Sequence, residues 1–112
     1  MQVELQVDTS DKTVASDLFS PAKTIGPGTR THAPGSAALE LREWYFRKGV
    51  GFHDTLTIIL NATKDLGVAL FASWLYDRLK GRAKALRINR TEVQIEEGAI
   101  RKVITEQLEH EQ

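Results

Sequence analysis

The chain has 112 residues, which is enough for one small domain and too few for two independent ones. Hydrophobic residues make up 41% and charged residues 27%, a balance that excludes a chain disordered throughout. Lys and Arg number 15, as do Asp and Glu, so the net charge excludes a generally basic nucleic-acid coat and a generally acidic mimic. Because the sequence has no cysteine, disulfide frameworks, thiol catalysis and zinc sites with cysteine ligands are excluded as well.

The sequence predicts neither a targeting segment nor a membrane span. Residues 1–7 contain no basic region and no long apolar region, both of which a secretory signal requires. The most apolar stretch, residues 56–76, is interrupted by Asn61, Lys64 and Asp65. We therefore expect a soluble, cytoplasmic protein.

The first third of the chain predicts a strand followed by a loop. Residues 2–7 alternate between apolar and polar side chains, as a half-buried strand does. Residues 12–19 fit one short helical turn. All 3 prolines lie within residues 20–36, together with several glycines, so this segment predicts a Gly/Pro-rich loop without regular structure. A loop of that length in a small domain indicates a mobile or functional segment.

Residues 37–46 fit either a helix or a strand. A helix is favoured because Ser36 is a good N-cap and Gly49 provides an end. A strand stays open because apolar and charged residues alternate at the start of the segment and three aromatic residues follow each other at its end.

The dominant predicted element is a long apolar helix. Asp54 is a good N-cap, and the helical pattern then runs to about Lys80, with Gly81 as the stop. Gly67 lies in the middle, where it either breaks the helix or lets another backbone pack closely. The second half is apolar on nearly all sides, so it must be covered on all sides. An unbroken helix would measure about 40 Å, and we expect it to bend, to project or to be covered by a second subunit.

The last third predicts a hairpin and a closing helix. A two-residue turn at Asn89 and Arg90 would place Leu86 opposite Val93 on one face. A helix follows from about Glu97 with apolar residues at helical spacing. We predict one α+β domain over residues 1–112: a small antiparallel sheet, made of the N-terminal strand and the C-terminal hairpin, packed on the long apolar helix and the C-terminal helix.

No constellation of residues indicates catalysis or a metal site. The histidines, at positions 32, 53 and 110, have no second ligand at helical or hairpin spacing. No serine lies in a nucleophile elbow. His53 and Asp54 are a conceivable acid–base pair, but an Asp54 that caps a helix is the simpler interpretation. We predict a protein that is not an enzyme, without catalytic residues, metal or cofactor.

Two basic segments predict an alternative function in nucleotide, anion or nucleic-acid binding. The Gly/Pro-rich loop has no acidic residue and carries Lys23 and Arg30 beside glycine N–H groups, although it matches no P-loop. A second cluster within residues 78–90 also has no acidic residue. The alternative for the loop is a flexible solvated connector or an arm that orders on a partner. The alternative for the second cluster is internal compensation, such as Arg87 facing Glu92 across the hairpin. The second cluster comprises Arg78, Lys80, Arg82, Lys84, Arg87 and Arg90.

The apolar half of the long helix predicts a protein interface. Its side chains exceed what one face of a small sheet can cover, and exposed apolar patches mark interfaces. We therefore predict a homo-oligomer, with a protein partner as a further expectation. The residues predicted to carry the interface are Leu70, Phe71, Trp74 and Leu75.

The order of elements resembles a known family. A first strand is followed by a Gly/Pro-rich region, an apolar helix with a central glycine, the motif Trp74-Leu75-Tyr76-Asp77-Arg78, a basic turn and a hairpin. Over residues 56–96 and the first strand, this layout resembles the effector-associated constant component proteins, small partners encoded with bacterial conflict-system effectors. The resemblance implies an interaction component of a bacterial defence or phage counter-defence system, without a known active site. It therefore transfers no catalytic residues to this chain.

Overall fold

A computed structural model describes residues 2–20, 22–45, 53–61 and 66–110. Within these ranges the chain forms an α+β fold, as predicted, with a larger sheet than expected. The elements in chain order are β1 (Gln2–Thr9), α1 (Thr13–Leu18), β2 (Arg30–Ala33), β3 (Ala37–Tyr45), β4 (Asp54–Asn61), α2 (Val68–Leu79), β5 (Ala83–Ile88), β6 (Thr91–Val93) and α3 (Glu97–Glu109).

The strands form one six-stranded sheet in the order β2-β3-β4-β1-β5-β6, with every neighbouring pair antiparallel. The predicted pairing of the first strand with the C-terminal hairpin is confirmed, since β1 lies beside β5. The other edge of β1 pairs with β4, which connects the hairpin to β3 and β2. The predicted three-stranded sheet is therefore half of the actual one.

The two faces of the sheet differ because side chains alternate along each strand. On one face, Val3, Leu5 and Val7 of β1 join a core that includes buried side chains from all three helices. Glu4, Gln6 and Asp8 alternate with them and lie on the opposite face. The buried residues of the three described helices belong to the core on the first face, and we call the second face the open face.

The predicted long helix is wrong in its first half. Residues 54–61 form β4, whose Leu56, Ile58 and Leu60 are buried in the core. A spacing of two residues places all three on one face of a strand, but Leu56 and Leu60 are also four residues apart, as on one side of a helix. The β-branched residues between and beside them favour the strand. Helix α2 starts only at Val68 and ends at Leu79, before Gly81, whose φ of 70° provides the expected stop.

The segment predicted as a helix from Ala37 is β3, so the strand alternative was the right one. Ser36 has a φ of 61° and belongs to a turn, and it does not cap a helix. The prediction that residues 20–36 lack regular structure is wrong for Arg30–Ala33, which form β2 and pair antiparallel with β3. The prolines and glycines end this short strand on both sides.

The C-terminal predictions are confirmed. Leu86 pairs with Val93, and the turn residues Asn89 and Arg90 have φ values of 48° and 70°. Positive φ at both central residues defines the type I′ turn that matches the twist of a hairpin. The Asn89 side chain accepts a hydrogen bond from the backbone N–H of Glu4 at 2.8 Å, which ties the turn to β1.

Candidate functional site

The most exposed large hydrophobic side chain of the described helices lies at the start of α2. Residues 66–72 are seven consecutive non-polar residues, and the first turn of α2 has no acidic residue and no side-chain cap. Of the described large hydrophobic residues, Leu70 is 64% exposed, and Tyr45 on the open face is 55% exposed. The N-terminal turns of α2 therefore present an apolar surface to solvent, which we call the α2 surface.

Two of the four predicted interface residues are not on this surface. Phe71 and Leu75 are 0% and 1% exposed and belong to the core of the chain itself. Their burial leaves no area for a partner, so the predicted interface role is wrong for both. The prediction failed because α1, α3 and the sheet enclose the inner side of α2 in one core.

Leu70 and Trp74 remain on the outer side of α2, one helical turn apart. Trp74 is partly buried, with its ring centroid 5.9 Å from that of Phe71. The guanidinium carbon of Arg78 lies 5.3 Å from the Trp74 ring centroid, in a cation–π arrangement. Exposed Leu70 therefore continues into a Trp–Arg pair, the residue types that dominate binding energy at interfaces.

The start of α2 is fixed against the β2–β3 turn by a contact between two glycines. The Gly67 N–H donates to the Gly35 carbonyl oxygen at 2.7 Å. A Cβ built on Gly67 would lie 3.1 Å from the Gly35 Cα and 3.6 Å from the Leu70 Cδ1. Leu70 thus lies beside the end of the β2–β3 hairpin, so the α2 surface is located at the β2 side of the molecule.

Arg82, which was predicted to bind anions, is held by two acidic residues of the α1 region. Its Nε donates to Asp11 Oδ2 at 3.0 Å, and its Nη1 donates to Asp17 Oδ2 at 2.6 Å. Hydrogen bonds from the Thr13 hydroxyl and backbone N–H, followed by the Arg82 bond, lower the pKa of Asp11 to about 2. This guanidinium is therefore engaged in fastening α1 to the start of β5.

The other predicted anion-binding residues are also largely compensated. Four of them pair with acids at nitrogen–oxygen distances from 2.8 to 3.9 Å: Arg87 with Asp8, Lys80 with Asp77, Arg90 with Glu4 and Arg30 with Glu40. Lys23 and Lys84 alone of the predicted set have neither an acidic nor an aromatic partner within the described ranges. The basic run along the sequence is therefore not a concentrated positive field in the fold.

The open face carries a charged cluster centred on Asp8. Arg87 donates to both carboxylate oxygens of Asp8, at 2.8 and 2.9 Å, and the Thr55 hydroxyl donates to Oδ1 at 2.8 Å. His53 Nε2 lies 3.5 Å from Oδ2. Burial raises the pKa of Asp8, but the hydrogen bonds from Arg87 and Thr55, with the charges of Arg87 and His53, outweigh it and lower this pKa.

The Asp8 cluster replaces the His53–Asp54 pair considered from the sequence. Asp54 is on the core side of the sheet and bonds to Lys12 Nζ at 2.7 Å and Trp44 Nε1 at 3.2 Å. The hydroxyl of Thr55 and the imidazole of His53 both face the Asp8 carboxylate. The cluster is therefore best described as a fixed network of charges that joins three strands.

The described residues contain no group of three or more His, Cys, Asp or Glu side chains that could hold a metal ion. No helix within the same ranges has the length and apolarity needed to cross a membrane.

No protein-family model matches the chain, and no curated protein or solved structure is significantly similar to it. The resemblance to the effector-associated constant component proteins stays a prediction. Of the long apolar helix in that layout, the structure contains the part from Val68 to Leu79.

Proposed function

We propose that the protein is a small non-enzymatic interaction component that self-associates through the α2 surface. The observation that carries this proposal is the 64% exposure of Leu70 within an uninterrupted non-polar stretch, residues 66–72. A single exposed leucine is common on monomeric proteins, but a helix that begins without any polar side chain is not. Association of two copies would cover this surface.

Burial of Leu70 in both copies would contribute a substantial binding free energy for a contact of this size. Full burial of a leucine side chain contributes about 1.5–3 kcal/mol, of which Leu70 still has the share of its 64% exposed surface to gain, once in each copy of a symmetric interface. Trp74, one helical turn from Leu70, and Arg78 over its ring supply the aromatic and guanidinium groups that enrich interfaces. The resemblance to conflict-system components supports the same class of function and suggests a bacterial defence or phage counter-defence setting.

The alternative function, nucleotide, anion or nucleic-acid binding, has weaker support. Most cations of the predicted set face carboxylates, so binding phosphate would require breaking existing ion pairs. This alternative predicts co-purified material that absorbs at 260 nm and binding that weakens steeply as salt rises. Self-association through an apolar surface predicts neither property.

Leu70→Glu is expected to convert an oligomer into a folded monomer. The substitution places a charge in the apolar contact while leaving the core intact, because Leu70 is largely exposed. Size-exclusion chromatography with light scattering measures the mass, and circular dichroism confirms the fold. The control is Gln94→Glu, which adds the same charge at an exposed position after β6, at the other edge of the sheet. A wild-type protein that is monomeric across the accessible concentration range would contradict the proposal.

A further inference from the structure

We infer that the partner of the α2 surface is a second copy of this chain whose β2 pairs antiparallel with β2, joining the two sheets into one. This inference rests on the proposed self-association and specifies how the copies dock. Strand β2 is the last strand of the sheet as described, and it contains no proline and no bulge. An edge without these protective features is a template for pairing with another strand.

The hydrogen bonding of β2 shows which of its backbone groups face outward. The Leu41 N–H donates to the Thr29 carbonyl oxygen at 2.8 Å, just before the strand, in line with the pairing of Thr31 with Leu39. Backbone groups of alternate residues point to opposite sides of a strand. Arg30 and His32 therefore direct their N–H and C=O groups away from β3, towards the free edge.

Symmetry selects one register for two such edges. A two-fold axis perpendicular to the sheet makes the strands antiparallel and keeps the helices of both copies on the same side. With Thr31 on the axis, Arg30 of each copy is opposite His32 of the other. This register uses all the outward N–H and C=O groups of both residues, whereas a shift by two residues leaves some of them without a strand partner.

The same arrangement explains why the α2 surface is located where it is. Leu70 lies beside the Gly35–Gly67 contact, at the turn end of β2. In an antiparallel pair the turn end of one strand meets the start of the other. Leu70 would therefore contact the segment before β2 in the second copy, which carries partly buried Ile25 and exposed Pro27. Backbone pairing and apolar burial would thus form one continuous interface.

The charge distribution at this edge is compatible with a second copy. Arg30 has the Glu40 carboxylate 3.6 Å from its Nε, so its charge is partly compensated before pairing. On the open face, β2 borders a depression with a volume of about 440 Å³, lined partly by Arg30, His32 and Asn61. This depression would leave room for Arg30 and His32 of the second copy beside the same two residues of the first.

His32→Pro tests the pairing because it removes one outward N–H from each copy. Proline is tolerated at edge positions whose N–H faces solvent, so β2 and β3 should stay paired. The matched control His32→Ala loses the same side chain and keeps the N–H. We expect His32→Ala to retain the wild-type dimer and His32→Pro to raise the dimer dissociation constant about 100-fold, as measured by analytical ultracentrifugation.

The outcomes separate this inference from the proposed function. If Leu70→Glu is monomeric while His32→Pro dimerises as tightly as His32→Ala, the β2 pairing is wrong and self-association stands. A monomeric wild-type protein overturns both. Should His32→Pro fail to fold, hydrogen exchange of the wild type decides: protection of the Arg30 and His32 amides must rise with dimer concentration. Unprotected amides in a fully dimeric sample would refute the pairing.

Discussion

Gly35→Ala is expected to lower the free energy of unfolding by about 3–4 kcal/mol. Gly35 has a φ of 87°, in the left-handed region where any Cβ is strained. A Cβ at this position would also overlap the carbonyl oxygen of Gly67. Because both groups in this overlap are attached to backbone, no side-chain rotation relieves it. The β2–β3 turn must separate from α2, which also weakens the 2.7 Å hydrogen bond between Gly67 and Gly35.

Gly28→Ala provides the matched control for this prediction. Gly28 has a φ of 96°, yet a Cβ built on it meets nothing within 4 Å. We therefore expect this control to lose only about 1–2 kcal/mol, the cost of the left-handed conformation itself. Urea denaturation followed by circular dichroism measures both variants. Equal losses at the two positions would mean that the glycine contact is not tight.

The elements predicted correctly are those with one clear period and strong turn chemistry. Strand β1 alternates without interruption, and α3 has apolar residues only at helical spacing. For the β5–β6 hairpin, Asn89 supplied the turn signal even without the favoured glycine, because asparagine tolerates positive φ. In these cases local preference and the final packing agree.

Strand β4 was missed because Ile59 interrupts an alternation in which Thr55 and Thr57 precede the core residues Leu56 and Ile58. Ile59 points to the open face and is still only 3% exposed, so the expected alternation of a half-buried strand is hidden. The apparent N-cap Asp54 and the apolar run into α2 completed a false helical pattern. The β-branched residues 55, 57, 58 and 59 carried the contrary signal.

The error in the predicted interface residues followed from the missed strand. With β4 as a strand, α2 is a shorter helix whose Phe71 and Leu75 lie in the core shared with α1, α3 and the sheet, and only the outer side of α2 stays available. The Asp8 cluster was beyond prediction for a different reason. The sequence correctly places Arg87 opposite Glu92, and this register is confirmed. The Arg87 guanidinium nevertheless bonds to Asp8 of β1, on the side of β5 away from β6. Only the strand order shows that β1 lies beside β5.

Asp8→Asn is expected to cost about 2–3 kcal/mol of unfolding free energy at neutral pH. The Asp8 side chain is 10% exposed and accepts two hydrogen bonds from Arg87, whose side chain is 28% exposed. An asparagine keeps one acceptor oxygen and leaves the guanidinium with only the charge of exposed Glu92 to compensate it. The partial exposure of Arg87 lets water replace some of the loss, so the expected cost is below that of a fully buried pair.

The same carboxylate makes stability sensitive to acid, in a direction set by its pKa. The folded state lowers the pKa of Asp8 below its ordinary value of 3.8, so the unfolded state binds the proton more readily. The stability that Asp8 contributes is therefore complete above about pH 4 and is lost as pH falls through the folded pKa. Asp8→Asn lacks this contribution at every pH. The stability difference between wild type and variant should accordingly shrink as the pH is lowered from 5 towards about 2.

Glu92→Gln is the control that separates the Asp8 pair from the general charge of this region. Glu92 is opposite Arg87 across the β5–β6 hairpin and is exposed, so the substitution removes one negative charge near the same guanidinium. Exposed charge pairs contribute at most about 1 kcal/mol, and we expect less than that here. Urea denaturation at a series of pH values measures all three proteins. If Asp8→Asn and Glu92→Gln lose the same small amount at neutral pH, Asp8 does not stabilise the central strands through Arg87.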